Sequence, residues 1–351
     1  MMFPRPATGD TEPGRQAPSI PVGVWRSAAR DLPLVDGQLP AGAVAEEIEQ
    51  AAAGDARMRA LVTVAANPVL SAPNGDRLAA ASNELDFMLS VDIYLNETTS
   101  LADLILPTRV HAERANYDLV YTRTSSHNFA RYSPALFEPE PGLPDHWEVL
   151  VELVARVQGR TVAEVDAEVV DALIAKVTAP GAACEGIARE TILAENGDEI
   201  GPMRILDLEL RSGPYGDHFE PGKDGLSLAR LAPAEGPVDL GPLEPRLPGA
   251  IKTEDGRIPL AHPYIAADVP RLLEWLEERS RPDRMVLIGR RQVRNMNSWL
   301  HNVPVLAKGR RPGMQLAAVD LDLPLRPLKL HAVLAVLDDL DPIRLPIGQP
   351  P

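Results

Sequence analysis

The chain has 351 residues, of which 45% are hydrophobic and only 4% aromatic, and its formal net charge is −15. This length supports two domains or one large domain, and the acidic balance disfavours nucleic-acid binding and binding to anionic membranes. The single cysteine, Cys184, excludes an internal disulfide and a self-contained cysteine-ligated zinc or iron–sulfur site. No apolar run approaches the ~20 residues of a membrane span, and the N-terminus lacks an apolar signal region, so we expect a cytoplasmic protein.

Short helices and strands alternate after a Pro- and Gly-rich entry segment, residues 1–40. "AGAVAEEIEQAAA", which begins at residue 41, predicts a helix, and "RALVTVAA" (59–66) is typical of a strand buried on both faces. "NGDRLAAASNEL" predicts a second helix with Asn74 near its N-cap, and "FMLSVDIY" (87–94) predicts the next strand. A third apolar run ends at Pro107. This alternation predicts βαβ units and a parallel sheet.

Polar side chains follow the first two predicted strands. Asn67 and Pro68 come directly after one strand, and Asp92 ends the next strand, 25 residues later. In a parallel sheet both positions lie at the carboxyl edge, where doubly wound folds bind ligands. A strand-terminating turn is the simpler explanation of Asn67-Pro68 taken alone, and a turn or N-cap role explains Asp92 equally well. Alternatively, the Asp92 carboxylate would accept from the two adjacent N–H donors of guanine.

The second half of the chain is predicted to be helical and then loop-rich. A helix from residue 145, with Asp145 as N-cap, is expected to bury Trp147, Leu150, Val151 and Val154 on one side. "TVAEVDAEVVDALIAKV" predicts another helix, and residues 181–265 are interpreted as loops with short apolar pieces such as "RILDLEL". "DVPRLLEWLEERS" predicts a last helix with Pro270 in its first turn, and "RMVLIGR" a strand.

A basic segment interrupts this acidic chain. Residues 281–311 contain eight Lys or Arg against one acid, Asp283. Such a cluster is commonly a solvated face, but here amides, a hydroxyl and an indole are interleaved with the cations, as in sites for polar heterocycles and diphosphates. The candidate binding residues are Arg290, Arg291, Arg294, Asn295, Asn297, Ser298 and Trp299.

The signature motifs of four enzyme classes are absent from the sequence. There is no G-x-G-x-x-G after a strand, no phosphate-binding G-x-x-x-x-G-K-[ST], no H-E-x-x-H and no G-x-S-x-G. The seven histidines are scattered without metal-ligand spacing. The residues therefore indicate no catalytic or metal-ligating candidate in this chain.

Three segments together resemble the molybdopterin oxidoreductase family, the bis-molybdopterin guanine dinucleotide enzymes that include formate dehydrogenases and nitrate reductases. They are "ANPVLSAPNGDRL", "SVDIYLNETTSLADLILP" and "LIGRRQVRNMNSWLHNVPVLAKGR", and the similarity runs from about residue 20 to about residue 312. The resemblance implies a nucleotide-binding lobe that contains Asn67, Pro68 and Asp92, with Asp92 at the guanine end. Asp145 matches a further cofactor-contacting acid, and Arg290 to Trp299 match a loop that contacts the pterin and its phosphates.

The resemblance also implies a fold class and a division of the chain. We expect an α/β protein with a doubly wound, Rossmann-like parallel-sheet lobe, a loop-rich α/β second part and the beginning of a truncated barrel domain. The predicted divisions are an extended entry at 1–40, the dinucleotide-binding lobe at 41–145, a helical and loop-rich part at 146–282, and the start of the C-terminal dinucleotide-binding domain at 283–351.

By resemblance the cofactor is molybdopterin guanine dinucleotide (Mo-bis-MGD), in an oxidoreductase chain or fragment that is not expected to be active alone. The metal ligand and any iron–sulfur cluster would belong to a missing N-terminal part. A complementary N-terminal half or an electron-transfer subunit is the expected partner. The alternative is a non-catalytic cofactor-binding or assembly scaffold without redox activity.

Overall fold

Three parallel strands position the candidate site. The structure, a computed structural model, describes residues 2–3, 5, 7–8, 23–35, 37–50, 58–119, 122, 125–245, 251, 253, 255–258, 261, 263–279, 288–289, 303–307 and 316–317. The chain divides into two compact units, residues 1–257 and 258–351, and the sheet belongs to the first.

The first unit combines this sheet with helices and short antiparallel pairs. Its strands are β1 (Met2–Phe3), β2 (Ala60–Val64), β3 (Phe87–Val91), β4 (Leu104–Leu106), β5 (Asn116–Tyr117), β6 (Phe129–Ala130), β7 (Tyr132–Ser133), β8 (Val238–Asp239) and β9 (Glu244–Pro245). Its α-helices are α1 (Val44–Glu49), α2 (Pro68–Ser71), α3 (Gly75–Ser82), α4 (His146–Gln158), α5 (Val162–Val177), α6 (Arg189–Asn196), α7 (Pro202–Arg211) and α8 (Leu228–Leu231). Residues Ala41–Ala43, Thr99–Leu101 and His111–Glu113 form 3₁₀ turns.

The sheet has the order β2-β3-β4, with all three strands parallel. Val64 pairs with Val91, and Val91 pairs with Leu106, so the three strands end side by side. Inside the sheet, Thr63 and Ser90 share a buried hydrogen bond of 2.8 Å between their hydroxyls, which satisfies both polar groups. The predicted α/β class and parallel sheet are therefore confirmed.

Three clusters of buried side chains form the core of the first unit. One lies between α1 and α3 and includes Ile48 and Leu78. The other two lie on opposite sides of α7, because Leu206 and Leu210 belong to one cluster and Leu208 to the other. Helix α7 is thus covered on two sides. The predicted loop-rich region at 181–265 contains α6, α7 and α8 and is more helical than the sequence indicated.

Two predicted burial patterns are wrong. Strand β2 is not buried on both faces: Val62 and Val64 remain 42% and 37% exposed, and Val62 pairs with Leu89 on the face that borders an open groove. Helix α4 begins after Asp145 as predicted, but the side chain that it buries fully is Ala155. Leu150 and Val154, expected in the core, are 36% and 40% exposed.

In the second unit the structure describes α9 (Pro263–Ala266), α10 (Val269–Arg279), α11 (Pro304–Ala307) and an antiparallel pair, β10 (Ile288–Gly289) with β11 (Leu316–Ala317). Helix α10 confirms the predicted helix with Pro270 in its first turn. The predicted binding residues from Arg290 to Trp299 lie outside the described residues, and the expected start of a barrel at 283–351 stays a prediction. Within the described residues, no helix is long and apolar enough to cross a bilayer.

Candidate functional site at the carboxyl edge of the parallel sheet

Asn67 follows β2 and fastens the loop that follows β3. Its amide nitrogen donates to Glu97 at 2.7 Å, and its amide oxygen accepts from the Thr98 hydroxyl at 2.7 Å. Thr98 Oγ1 also accepts from the backbone N–H of Val69, at 3.0 Å. Asn67 and Thr98 are 6% and 1% exposed, so this corner is a buried and paired polar network. Both functional groups of Asn67 are occupied by the protein itself.

Asp92 caps the first turn after β3. Its Oδ1 accepts from the backbone N–H of Tyr94 at 2.9 Å, which forms an Asx turn. The second oxygen, Oδ2, has a long contact of 3.4 Å with the amide nitrogen of Asn96. The side-chain oxygen of Asn96 accepts from the N–H groups of Thr98 and Thr99, at 2.9 and 3.0 Å, and so shapes the loop. Asp92 therefore has a turn role, and its Oδ2 retains capacity to accept a further donor.

The third corner lies after β4, where Thr108 contacts the start of α4. Thr108 Oγ1 is 3.0 Å from His146 Nε2, and Thr108 is 2% exposed. Asp145 is the N-cap of α4: it accepts from His146 N at 2.6 Å and forms a capping box with Glu148. Arg114, from the segment after the 3₁₀ turn His111–Glu113, reaches this corner. Its Nη1 lies 3.4 Å from Asp145 Oδ1 and 2.6 Å from His146 Nδ1.

The electrostatic environment connects this corner to Asp92. Burial lowers the pKa of the His146 imidazole, and the neighbouring Arg114 and His111 lower it further. The carboxylates of Asp145 and Asp92 act in the opposite direction. His146 thus lies within electrostatic range of Asp92 and is held neutral in a polar corner of mixed charge.

An open apolar groove of about 650 Å³ borders one face of the sheet. The sheet contributes Phe87, Leu89, Leu104 and Leu106, and α4 contributes residues that include Trp147. Leu89 of β3 pairs with Leu104 of β4, so these two side chains lie next to each other on the face of the sheet that borders the groove. The groove is an apolar surface beside the polar edge.

The structure brings three of the predicted site residues to one edge. Asn67 and Asp92 are joined through the loop 96–99, and Asp145 reaches the same edge through His146 and Thr108. Pro68 is the first residue of α2, where its missing N–H costs nothing. Sequence reasoning missed four residues that hold this edge together. They are Thr98, Thr108, Arg114 and His146.

The environment of Cys184 differs from that of a metal-binding thiolate. It is 1% exposed and packs with residues of α5, α6 and α7. Burial raises the pKa of its thiol to about 11, so the neutral form predominates at physiological pH. Among the described residues, no three His, Cys, Asp or Glu side chains are grouped as metal ligands.

Comparison with known proteins gives partial matches to oxidoreductases. A nitrate reductase of Symbiobacterium thermophilum is 34% identical over 107 residues, which cover 30% of this chain and 13% of that protein. The NADPH-Fe(3+) oxidoreductase subunit alpha of Geobacter sulfurreducens is 27% identical over 164 residues, covering 45% and 18%. The assimilatory nitrate reductase catalytic subunit of Bacillus subtilis is 27% identical over 117 residues, covering 32% and 16%.

These matches support an oxidoreductase relationship. The matched stretches span between 13% and 18% of the length of these relatives. No protein-family model matches the chain.

Proposed function

We propose that this chain is part of a molybdopterin-dependent oxidoreductase and that its parallel-sheet lobe binds the guanine end of molybdopterin guanine dinucleotide. The observation that carries the proposal is the convergence of Asn67, Asp92 and Asp145 at one carboxyl edge, each placed after or beside a different parallel strand. Doubly wound sheets bind nucleotides at this edge. The partial similarity to nitrate reductases supports the same class of cofactor.

The polar groups at the edge fit the nucleotide unequally. Asp92 fits guanine, because its Oδ2 has one long contact and a carboxylate can accept from two adjacent N–H donors. Asp145 would accept from donors of the same nucleotide while it caps α4. The amide nitrogen and oxygen of Asn67 each form a hydrogen bond within the protein, so we assign to Asn67 the role of holding the loop that presents Asp92. When bound, the molybdopterin supplies the metal-centred redox chemistry.

The cationic residues of the second unit remain candidates on sequence alone. Arg290, Arg291 and Arg294 would bind phosphate groups, and Asn295, Asn297, Ser298 and Trp299 would bind the polar heterocycle. Guanidinium forks suit diphosphate oxygens, and amides suit the pterin edge.

The buried thiol of Cys184 favours a metal ligand that comes from another polypeptide segment. Because its pKa is raised to about 11 and it packs in an apolar cluster, it does not fit a molybdenum ligand. In our proposal the metal ligand therefore comes from a separate, complementary polypeptide segment. Without that complement, the same chain would act as a cofactor-binding scaffold without redox activity.

Guanine recognition is tested by Asp92→Asn in the full chain. The amide keeps an oxygen for the Tyr94 N–H, so the turn survives, but it places an NH₂ group against the guanine donors. We expect the affinity for a fluorescent GDP analogue to fall about tenfold or more, since unpaired buried donors cost ~1–3 kcal/mol. Discrimination against the matching ADP analogue should disappear as well.

The matched control is Asp171→Asn. Asp171 is exposed and pairs with Arg189 at 2.6 Å, where an ion pair contributes little. The Asp171→Asn change should leave the affinities for the GDP analogue and the ADP analogue unchanged. Equal GDP affinity in the Asp92→Asn variant and the unaltered chain would contradict guanine recognition by Asp92.

The complementation proposal has its own test. The chain is co-expressed with an N-terminal half that carries a metal ligand, the complex is purified and its molybdenum is measured. We expect metal in the complex and none in the chain purified alone. A complex that forms without molybdenum would favour the scaffold role.

A further inference from the structure

The guanidinium of Arg114 lies between two histidine rings. Its Nη1 is 2.6 Å from His146 Nδ1, and its Nη2 is 2.7 Å from His111 Nδ1. Nη1 also faces the Asp145 carboxylate at 3.4 Å. Its Nε–H is buried and has no partner among the described residues, so the two rings and Asp145 are the described contacts that hold this cation.

These contacts fix the protonation of both rings. A guanidinium can only donate, so each Nδ1 must be an unprotonated acceptor. Each imidazole is then neutral, with its proton on Nε2. The Nε2–H of His146 donates to Thr108 Oγ1 at 3.0 Å, which leaves the Thr108 hydroxyl proton to donate elsewhere at the edge. Arg114 thus joins the segment after β4 to the first residues of α4.

We infer that Arg114 is a positioning residue of the crevice that acts as a pH-sensitive clamp. While both imidazoles are neutral, it holds Asp145 and His146 against Thr108. When the His146 ring takes up a proton on Nδ1, Arg114 releases Asp145 and His146. The inference rests on the proposed nucleotide site, because the clamp would position Asp145 in that site. The clamp itself is defined by contacts within this chain.

The charges around His146 set the direction of the switch. Burial lowers its pKa, the guanidinium of Arg114 lowers it further, and a positive charge on His111 would act in the same direction. Asp145 at the helix start and Asp92 after β3 oppose them. Protonation of Nδ1 removes the acceptor and places a second cation against Arg114. Acidification therefore breaks the 2.6 Å contact and frees the start of α4.

The tautomers test the clamp without any ligand. Long-range ¹H–¹⁵N NMR spectra of the full chain are recorded across the titration of its histidines. At about pH 8, well above the ordinary histidine pKa, we expect His146 and His111 to show a protonated Nε2 and a bare Nδ1. In Arg114→Met, the pKa of His146 should rise because one of the neighbouring cations is gone.

The double variant His111→Asn/His146→Asn tests the same geometry without a titratable ring. An Asn side-chain oxygen can take the place of Nδ1 as acceptor, so the clamp should stay closed at acidic pH. Arg114→Lys keeps the charge but cannot bridge two rings, and it should restore the low pKa of His146 only in part. It also covers the case in which Arg114→Met fails to fold.

A binding experiment tests whether the clamp affects the proposed nucleotide site. Affinity for the fluorescent GDP analogue is compared at about pH 8 and at a pH below the titration midpoint of His146 that the NMR spectra give. We expect it to fall about tenfold in the unaltered chain, the cost of losing hydrogen bonds to a charged group, and to stay within about twofold in the double Asn variant.

The outcomes separate the two proposals. A protonated Nδ1 in His146 at high pH, or a titration of His146 that is unchanged in both Arg114 variants, overturns the clamp. An equal loss of affinity in the unaltered chain and the double Asn variant overturns it as well. Absence of GDP binding at every pH, with the expected tautomers present, overturns the nucleotide site and leaves the clamp standing.

Discussion

Two corners of the carboxyl edge perform similar structural tasks with different chemistry. At the Asn67 corner, an amide and a hydroxyl from sequence positions 31 residues apart pair directly and are almost fully buried. At the Arg114 corner, a cation, two imidazoles and a carboxylate span a comparable distance along the chain. The first corner contains no imidazole, whereas the second contains His146, whose pKa is lowered chiefly by burial.

The difference separates a fixed part of the edge from an adjustable part. The Asn67 corner holds the loop 96–99 through an amide, a hydroxyl and the Glu97 carboxylate, without an imidazole. In the proposed clamp, the Arg114 corner holds α4 only while the His146 ring is neutral. A ligand that contacts both Asp92 and Asp145 would bind between two sides of the site. The hydrogen bonds that hold the Asp92 side would stay the same as the pH changes, and those that hold the Asp145 side would not.

The largest effect is expected from Asn67→Ala, which breaks the fixed corner. The change leaves the Thr98 hydroxyl without its acceptor and opens a gap at a residue that is 6% exposed. We expect a loss of about 2–3 kcal/mol in the free energy of unfolding, measured by urea titration at neutral pH. The loss should be the same at mildly acidic pH.

Asn83→Ala is the matched control for that change. Asn83 is an exposed amide that donates to Ala79 O at the end of α3. Its removal should change the free energy of unfolding by less than about 0.5 kcal/mol. If the two variants unfolded at the same urea concentration, the Asn67 corner would not be the fixed part of the edge.

A smaller effect is expected from Asp145→Ala in the adjustable corner. This variant loses the N-cap of α4 and the carboxylate beside Arg114, and caps of this kind contribute about 1 kcal/mol. Asp145→Ser should recover most of the loss, because a serine hydroxyl caps the helix without restoring the charge. Urea titrations of both variants would show whether the cap or the charge dominates.

The sequence predicted the positions of the sheet well because the apolar runs are local signals. The ends of β2 and β3 followed from Asn67 and Asp92, and the parallel pairing placed both at one edge. The N-cap at Asp145 also followed from local pattern, since capping depends on neighbouring residues.

What the sequence could not predict depends on contacts between distant residues. Leucines 206, 208 and 210 are spaced by two, which resembles a strand, yet they lie on α7 because core surrounds that helix on two sides. Thr98 showed no sign of its role because its partner Asn67 is remote in the sequence. Arg114 and His146 are 32 residues apart, and their contact exists only once β4 and α4 are packed together.

The smallest expected effect is the pH dependence of stability, which distinguishes the corners most directly. The pKa of His146 is lower in the folded chain than its ordinary value of 6.5, so the unfolded state binds more protons. The free energy of unfolding should therefore be highest above about pH 6.5 and fall as the pH drops from there through the folded-state pKa. Carboxylates titrate at lower pH, so this window reports mainly on histidines.

His146→Asn should remove part of that slope, since Asn keeps an acceptor for Arg114 but takes up no proton. His127→Asn is the control, because His127 is an exposed residue that pairs with Asp239 rather than with Arg114. Urea midpoints measured at closely spaced pH values give the slope for each chain. Parallel slopes in the His146→Asn variant and the unaltered chain would show that the Arg114 corner is as insensitive to pH as the Asn67 corner.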